Sequence, residues 1–253
     1  MRLGGRLAAA IEILDDMDRR HRPAAEALKD WGLSHRFAGA GDRAAIGNIV
    51  YDSLRRRRSA GWLLDSEAPR AIAFGAMVLE RGMDGEALNL ALEGDRFAPD
   101  PLNEAELAAL AARSLADAPQ AVSADCPDWC VPLVEEAFGD GWPGQLSALA
   151  ARPPLDLRVN TLAATREKVL AELKGTGATA APLAPNGIRI PPIEGHGRHP
   201  NVQAEPAFQK GWFEVQDEGS QIVAELAEEV NEPFGGVGFF EQDVRAQAKH
   251  ESK

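Results

Sequence analysis

From Leu3 the apolar positions fall at Leu7, Ala10, Ile11, Leu14 and Met17, three and four residues apart. That spacing predicts a helix with one buried stripe. Pro23 suits the first turn of a second helix, which runs through Leu28 and Trp31 to Gly32. Asp42 is a candidate N-cap for a third, whose inner face carries Ala45, Ile46, Ile49, Val50 and Leu54. Further helices are expected over 72–79, 104–115, 127–138 and 144–150, and no strand is predicted before about residue 153. Residues 1–150 therefore read as an all-α domain.

The period changes at Pro153-Pro154. Leu155, Leu157 and Val159 alternate with Asp156, Arg158 and Asn160, which predicts a strand with one buried face and the polar residues opposite. Thr165 caps a helix to about Lys174, with Gly175 just beyond it. Strands near 178–183 and 188–190 flank Pro185-Asn186-Gly187 as a hairpin. A short helix at 206–210 and a strand with Trp212, Phe213 and Val215 complete the order strand, helix, strand, strand, helix, strand. Over 151–215 this is the order of a small ferredoxin-like or RNA-recognition-like α/β subdomain. The last region, 216–253, opens with a helix over 218–229 bearing Ile222, Val223 and Leu226, then becomes polar and aperiodic, as a loose tail does.

Charge changes this picture locally. The net charge is −12, which opposes a polyanionic partner. Its distribution is uneven: residues 1–60 carry 12 basic against 8 acidic side chains, 61–150 carry 4 against 16, and 151–215 carry 8 against 6. No apolar run approaches the roughly 20 residues that cross a bilayer. Glu12, Asp15 and Asp16 interrupt the first apolar stretch, so neither a membrane partner nor a signal peptide is expected, and a cytoplasmic location is. Cys126 and Cys130, the two cysteines, suit a reducing compartment and are expected to pack as small apolar groups. Paired with His196 and His199 they make a poor zinc signature, so no metal is expected.

Three stretches, in order, resemble the Nol/Nop/Sun family of RNA cytosine-5 methyltransferases, in its bacterial RsmB-like branch. DRAAIGNIVYDSLRRRRSAGWLL, residues 42–64, resembles the NusB-like helical domain that opens those enzymes. PLDLRVNTL, residues 154–162, is similar to the strand that begins their RNA-recognition-like subdomain. EPAFQKGWFEVQDEGSQIVAEL, residues 205–226, resembles the segment leading into their methyltransferase domain and is the most specific of the three. The resemblance implies S-adenosylmethionine-dependent methylation of ribosomal RNA, of the small subunit, through a cysteine thiolate added at cytosine C6. The cofactor fold would begin just past Val230. Here the chain continues as NEPFGGVGFFEQDVRAQAKHESK, and the fifteen residues after Gly238 are too few for a βα unit of about 30 residues. The Gly235-Gly236-Val237-Gly238 cluster lacks the strand, helix and acidic residue of a nucleotide loop. The expectation is a protein whose Rossmann-like domain is largely absent, which alone binds no S-adenosylmethionine and has no catalytic residue. Cys126 and Cys130 match neither catalytic motif of the family.

Arg55, Arg56, Arg57 and Arg58 either straddle an RNA backbone or form a solvated helix end. Arg158 and Asn160, on the outer side of their strand, and Lys210 are the other RNA-binding candidates. Gln216, Asp217, Ser220 and Gln221 form the family motif at the entrance to the methyltransferase domain; a plain helix cap is the alternative reading. Ribosomal RNA is the expected partner. The competing possibility is a NusB-like adaptor that binds protein through the helical domain and its acidic 61–150 stretch.

Overall fold

The computed structural model describes residues 1–192, 197 and 199–230, which divide into two compact units, one over 1–153 and one over 154–192 and from 199 on. The predicted tail, the Gly235–Gly238 cluster and His196 lie outside the described residues.

The first unit is helical: α1 (Leu3–Arg20), α2 (Ala24–Ser34), α3 (Ala40–Arg55), α4 (Arg57–Leu63), α5 (Pro69–Arg81), α6 (Gly85–Leu92), α7 (Glu104–Ala112), α8 (Gln120–Ser123), α9 (Val131–Phe138) and α10 (Trp142–Ala150). Helices α1, α3 and α5 pack on one another around Leu7, Ile13, Leu14, Ile46, Ile49 and Phe74, all fully buried. Each such side chain contributes about 1.5–3 kcal/mol by leaving water. Gly75 lets α5 cross α4 closely, because a Cβ there would lie 2.5 Å from the Ala60 carbonyl oxygen.

Several boundaries differ from expectation: α5 begins at Pro69, α7 ends at Ala112, α9 begins at Val131, α10 begins at Trp142, and the ends of α2 and α3 shift as well. Gly39, not Asp42, is the N-cap of α3, and Asp42 sits in the first turn, where Arg6 Nη2 binds its carboxylate at 2.8 Å. Helix α2 continues past Gly32 to Ser34, since its end is held by the His35 amide donating to Trp31 O.

The second unit contains β1 (Leu155–Val159), α11 (Arg166–Glu172), β2 (Thr179–Ala180), β3 (Gly187–Ile190), α12 (Pro206–Gln209), β4 (Phe213–Val215) and α13 (Glu218–Val230). Its antiparallel sheet has the order β2-β3-β1-β4, so the expected ferredoxin-like arrangement is the one formed. Leu157, Val159, Ile188, Ile190 and Phe213 turn inward with Val169 and Leu173 of the α11 region. Thr165 caps α11 by accepting from the Lys168 N–H at 3.3 Å, and Gly175 turns the chain at φ +98°.

Asp156 departs from the alternating pattern: it faces away from Leu157 yet is only 5% exposed. The reason is α13, which packs on β1 and covers that face. Asp217 is the N-cap of α13, its Oδ1 accepting the Ser220 N–H at 3.2 Å, while Val223 and Leu226 on its outer side are exposed.

Candidate nucleic-acid interface

The run Arg55–Arg58 straddles the junction between α3 and α4, where the backbone breaks at Arg56 with φ −106°. The break sends the four side chains to different neighbours. Arg55 and Arg152 both bind Asp52, which is 3% exposed; Arg152 reaches it in a fork at 3.0 and 2.6 Å. Arg56 binds Glu80 of α5 at 2.7 Å. Arg57 forks onto Asp18 of α1 at 3.2 and 2.8 Å. Arg58 meets Asp128 at 2.7 Å and donates to the Cys126 carbonyl. All four guanidinium groups are half-buried, and each is held by a carboxylate.

Asp125 completes this arrangement. In a left-handed conformation at φ 51°, it accepts from the Arg58 N–H at 3.0 Å and from Ser59 N–H and Oγ at 2.9 and 2.8 Å. It thereby caps the first turn of α4 in place of a local side chain. Burial pushes the Asp125 carboxyl above the ordinary range, against the opposing pull of Ser59 and Arg56.

A different arrangement of cations occurs at one end of the second unit. Lys168 Nζ lies 3.9 Å from the Trp212 ring centroid and Lys210 Nζ lies 5.0 Å from it, and both lysines are exposed. A cation over an indole is attracted by the ring's negative face. Asn160 builds this end: its Nδ2 donates to Gly211 O at 2.9 Å, its N–H donates to Trp212 O at 2.9 Å, and its Oδ1 accepts from the Leu162 N–H at 3.2 Å. Arg158 is half-buried, in register with Glu214 of β4 and Gly187 of β3.

Of the Gln216–Gln221 motif, Gln221 is buried and Gln216 half-buried, while Asp217 and Ser220 are exposed at the start of α13. Arg189 of β3 forks onto Asp156 of β1, its register partner, with both bonds 2.7 Å long, and its Nη2 also lies 3.1 Å from Glu218. Glu218 Oε1 accepts the Leu183 and Ala184 N–H groups at 2.7 and 3.0 Å, and the Glu218 N–H donates to Asp156 at 3.1 Å. Gln221, 1% exposed, donates to Leu157 O at 3.3 Å and Gln216 O at 2.9 Å. Burial disfavours the charged Asp156, but Arg189 and the Glu218 N–H outweigh it and hold the carboxyl below its usual range. This network fastens α13 to the sheet.

Sequence reasoning missed Lys168, Trp212, Asp125, Asp156, Arg189 and Glu218 as members of these clusters. The Asp156–Arg189 pair was reachable only through strand register, and Asp125 carried no local signal. Cys126 is fully buried beside Trp142, with Cys130 half-buried against the same cluster. Burial, and then the neighbouring Cys130, push the Cys126 thiol up, so it is held as the thiol. Among the described residues no group of His, Cys, Asp and Glu is placed to hold a metal ion, and no helix is long and apolar enough to cross a membrane.

Residues 126–192 match the family described as the Methyltr_RsmF/B-like ferredoxin-like domain. The chain is also similar to proteins named ribosomal RNA small subunit methyltransferase B. That of Photorhabdus laumondii is 33% identical over 42% of this chain and 24% of its own length. That of Pseudomonas syringae pv. tomato is 33% identical over 40% and 22%, and a probable one of Synechocystis is 36% identical over 40% and 22%. The crystal structure of PH0851 has a TM-score of 0.48 and 17% identity, over 89% of this chain and 56% of that one. Over the matched residues the chain is similar to the RsmB-like branch of RNA methyltransferases. It spans about a quarter of the length of the curated relatives it matches.

Proposed function

We propose that these residues recognise ribosomal RNA, of the small subunit, for a cytosine-5 methyltransferase, and do not themselves transfer the methyl group. The observation that carries the reading is the Lys168–Trp212–Lys210 cluster, two exposed lysines over a half-buried indole, of which Lys168 lies within the residues of the family match. Two ammonium groups held over one indole meet phosphates. Arg158 adds a cation on the neighbouring strand, and Asn160 positions the Trp212 loop. Arg55, Arg56, Arg57 and Arg58 contribute through the N–H groups that their carboxylates leave facing solvent. Gln216, Asp217, Ser220 and Gln221 fix α13 at the entrance to a cofactor domain, and the residues described here bind no S-adenosylmethionine.

The test is fluorescence anisotropy with a small-subunit ribosomal RNA fragment across a salt series. A Lys168→Ala/Lys210→Ala variant is expected to lower the log–log salt slope by about 1.5, as two lost phosphate contacts require. An unchanged slope in a folded variant would remove these lysines from the interface.

A second reading rests on a separate observation. Trp129, Leu133, Phe138 and Leu149 are 50–75% exposed on or beside α9 and α10, in the acidic 61–150 stretch. Apolar side chains among carboxylates suit a basic protein partner, as in an adaptor. A defined one-to-one complex with a protein, formed without ribosomal RNA, would favour it.

A further inference from the structure

The helical unit contains a cleft of about 710 Å³ beside the first turns of α1, within the size range of small-ligand sites. Its lining includes a ladder of rings. His35 stacks on Trp31 with centroids 4.2 Å apart and planes 11° from parallel, and Phe37 meets His35 edge-on at 5.7 Å. Phe97 also lines the cleft, with the Arg96 guanidinium 4.5 Å from its ring centroid. Phe37 and Phe97 are 72% and 63% exposed, so these large apolar faces meet water. Gly5 and Ala8 of α1 keep the space between open.

The polar groups of the lining select the ligand. Asp95 is occupied: its Oδ2 accepts the Gly5 N–H at 3.0 Å and its Oδ1 the Phe97 N–H at 3.1 Å. Glu12 Oε2 accepts the Trp31 indole N–H at 3.0 Å, which fixes the ring at the head of the ladder. Both carboxylates thus accept from the walls, which leaves the arginines as the donors that face a guest. Arg2 and Arg96 bring positive charge to the same cleft, with the Arg2 Nη1 donating to Gly94 O at 2.7 Å and its remaining donors available. Flat walls with arginines alongside match a flat ligand that carries an anionic group.

We propose that this cleft binds a nucleotide, with the base against the Trp31–His35–Phe37 ladder or Phe97 and the phosphate toward Arg2 and Arg96. The nucleotide has two sources, an unpaired residue of an RNA or a free mononucleotide. The site is in the helical unit and does not depend on the Lys168–Trp212–Lys210 cluster.

The experiment is calorimetric titration of the full chain with AMP, adenosine, ribose 5-phosphate and a single-stranded oligoadenylate. Phe37→Ala, Phe97→Ala and Arg96→Ala are titrated in parallel, and thermal unfolding checks that each is folded. AMP or the oligonucleotide is expected to bind, and ribose 5-phosphate is not. Phe97→Ala or Phe37→Ala should weaken binding by roughly fivefold or more, as loss of a stacking face does. Arg96→Ala should weaken AMP but not adenosine. AMP binding as tightly as the oligonucleotide identifies a free nucleotide as the source, and binding of the oligonucleotide alone identifies RNA. No binding of either, or binding that all three folded variants leave unchanged, overturns the proposal. The Lys168→Ala/Lys210→Ala variant should titrate AMP as the unaltered chain does, which separates this site from the RNA edge of the second unit.

Discussion

The helical unit holds four consecutive arginines and the α/β unit brings two of its lysines, far apart in sequence, to one tryptophan, yet these lysines are the more available cations. Arg55–Arg58 are divided among Asp52, Glu80, Asp18 and Asp128. Lys168 and Lys210 lie over one indole and face solvent. A run of like charges along a chain describes composition; which of those charges can meet a phosphate is decided by the carboxylates that the fold brings to them.

The largest effect that would break this contrast is on stability. An Arg55–Arg58→Ala variant leaves Asp52 with Arg152 and takes the arginine partners from Glu80 and Asp18, which loosens α1, α3 and α5 from the junction, so urea unfolding should show a loss of about 4 kcal/mol. A variant as stable as the parent would mean that the arginines are surface charges after all. Next, Asp125→Ala removes the cap of α4 and three hydrogen bonds, and a loss of about 2–3 kcal/mol is expected by the same measurement. A loss below 0.5 kcal/mol, the ordinary effect of a surface change, would show that α4 needs no cap. For Lys168→Ala/Lys210→Ala the expectation reverses: stability within about 0.5 kcal/mol of the parent, and RNA binding that loses salt dependence.

The smallest effect is a pair of titrations. Asp156 is held below the ordinary carboxylate range, so its contribution to stability is present above about pH 3.9 and fades as pH falls through the lowered value. Asp125 is pushed above that range, so its contribution is fullest below about pH 3.9 and declines as pH rises through the raised value. Carboxyl carbon NMR should place the Asp125 midpoint above that of Asp156; the opposite order would contradict the two environments described.

Much of the fold was legible because its signals are local. The stripe from Leu7 to Met17, the alternation from Leu155 to Val159 and the Asn186-Gly187 turn each contain their own instruction. Helix α4 was not legible. It is seven residues long, follows a single-residue break after α3, and takes its cap from Asp125. The burial of Asp156 was hidden for a related reason, because a strand's period cannot tell that a helix from 60 residues later will cover its polar face. Of the site, Lys210 was legible as a cation, but its convergence with Lys168 on Trp212 depends on strand β4 returning beside β1.

The reach of Asp125 has a consequence for the order of events during synthesis. Its carboxylate lies 67 residues beyond Arg58, whose amide it receives. While the ribosome is still making residues 64–124, the start of α4 has only water for a cap. At roughly 5–20 residues per second, that interval lasts several seconds. The α4 amides therefore mark time: their protection from exchange with solvent should appear in nascent chains only after Asp125 has cleared the exit tunnel.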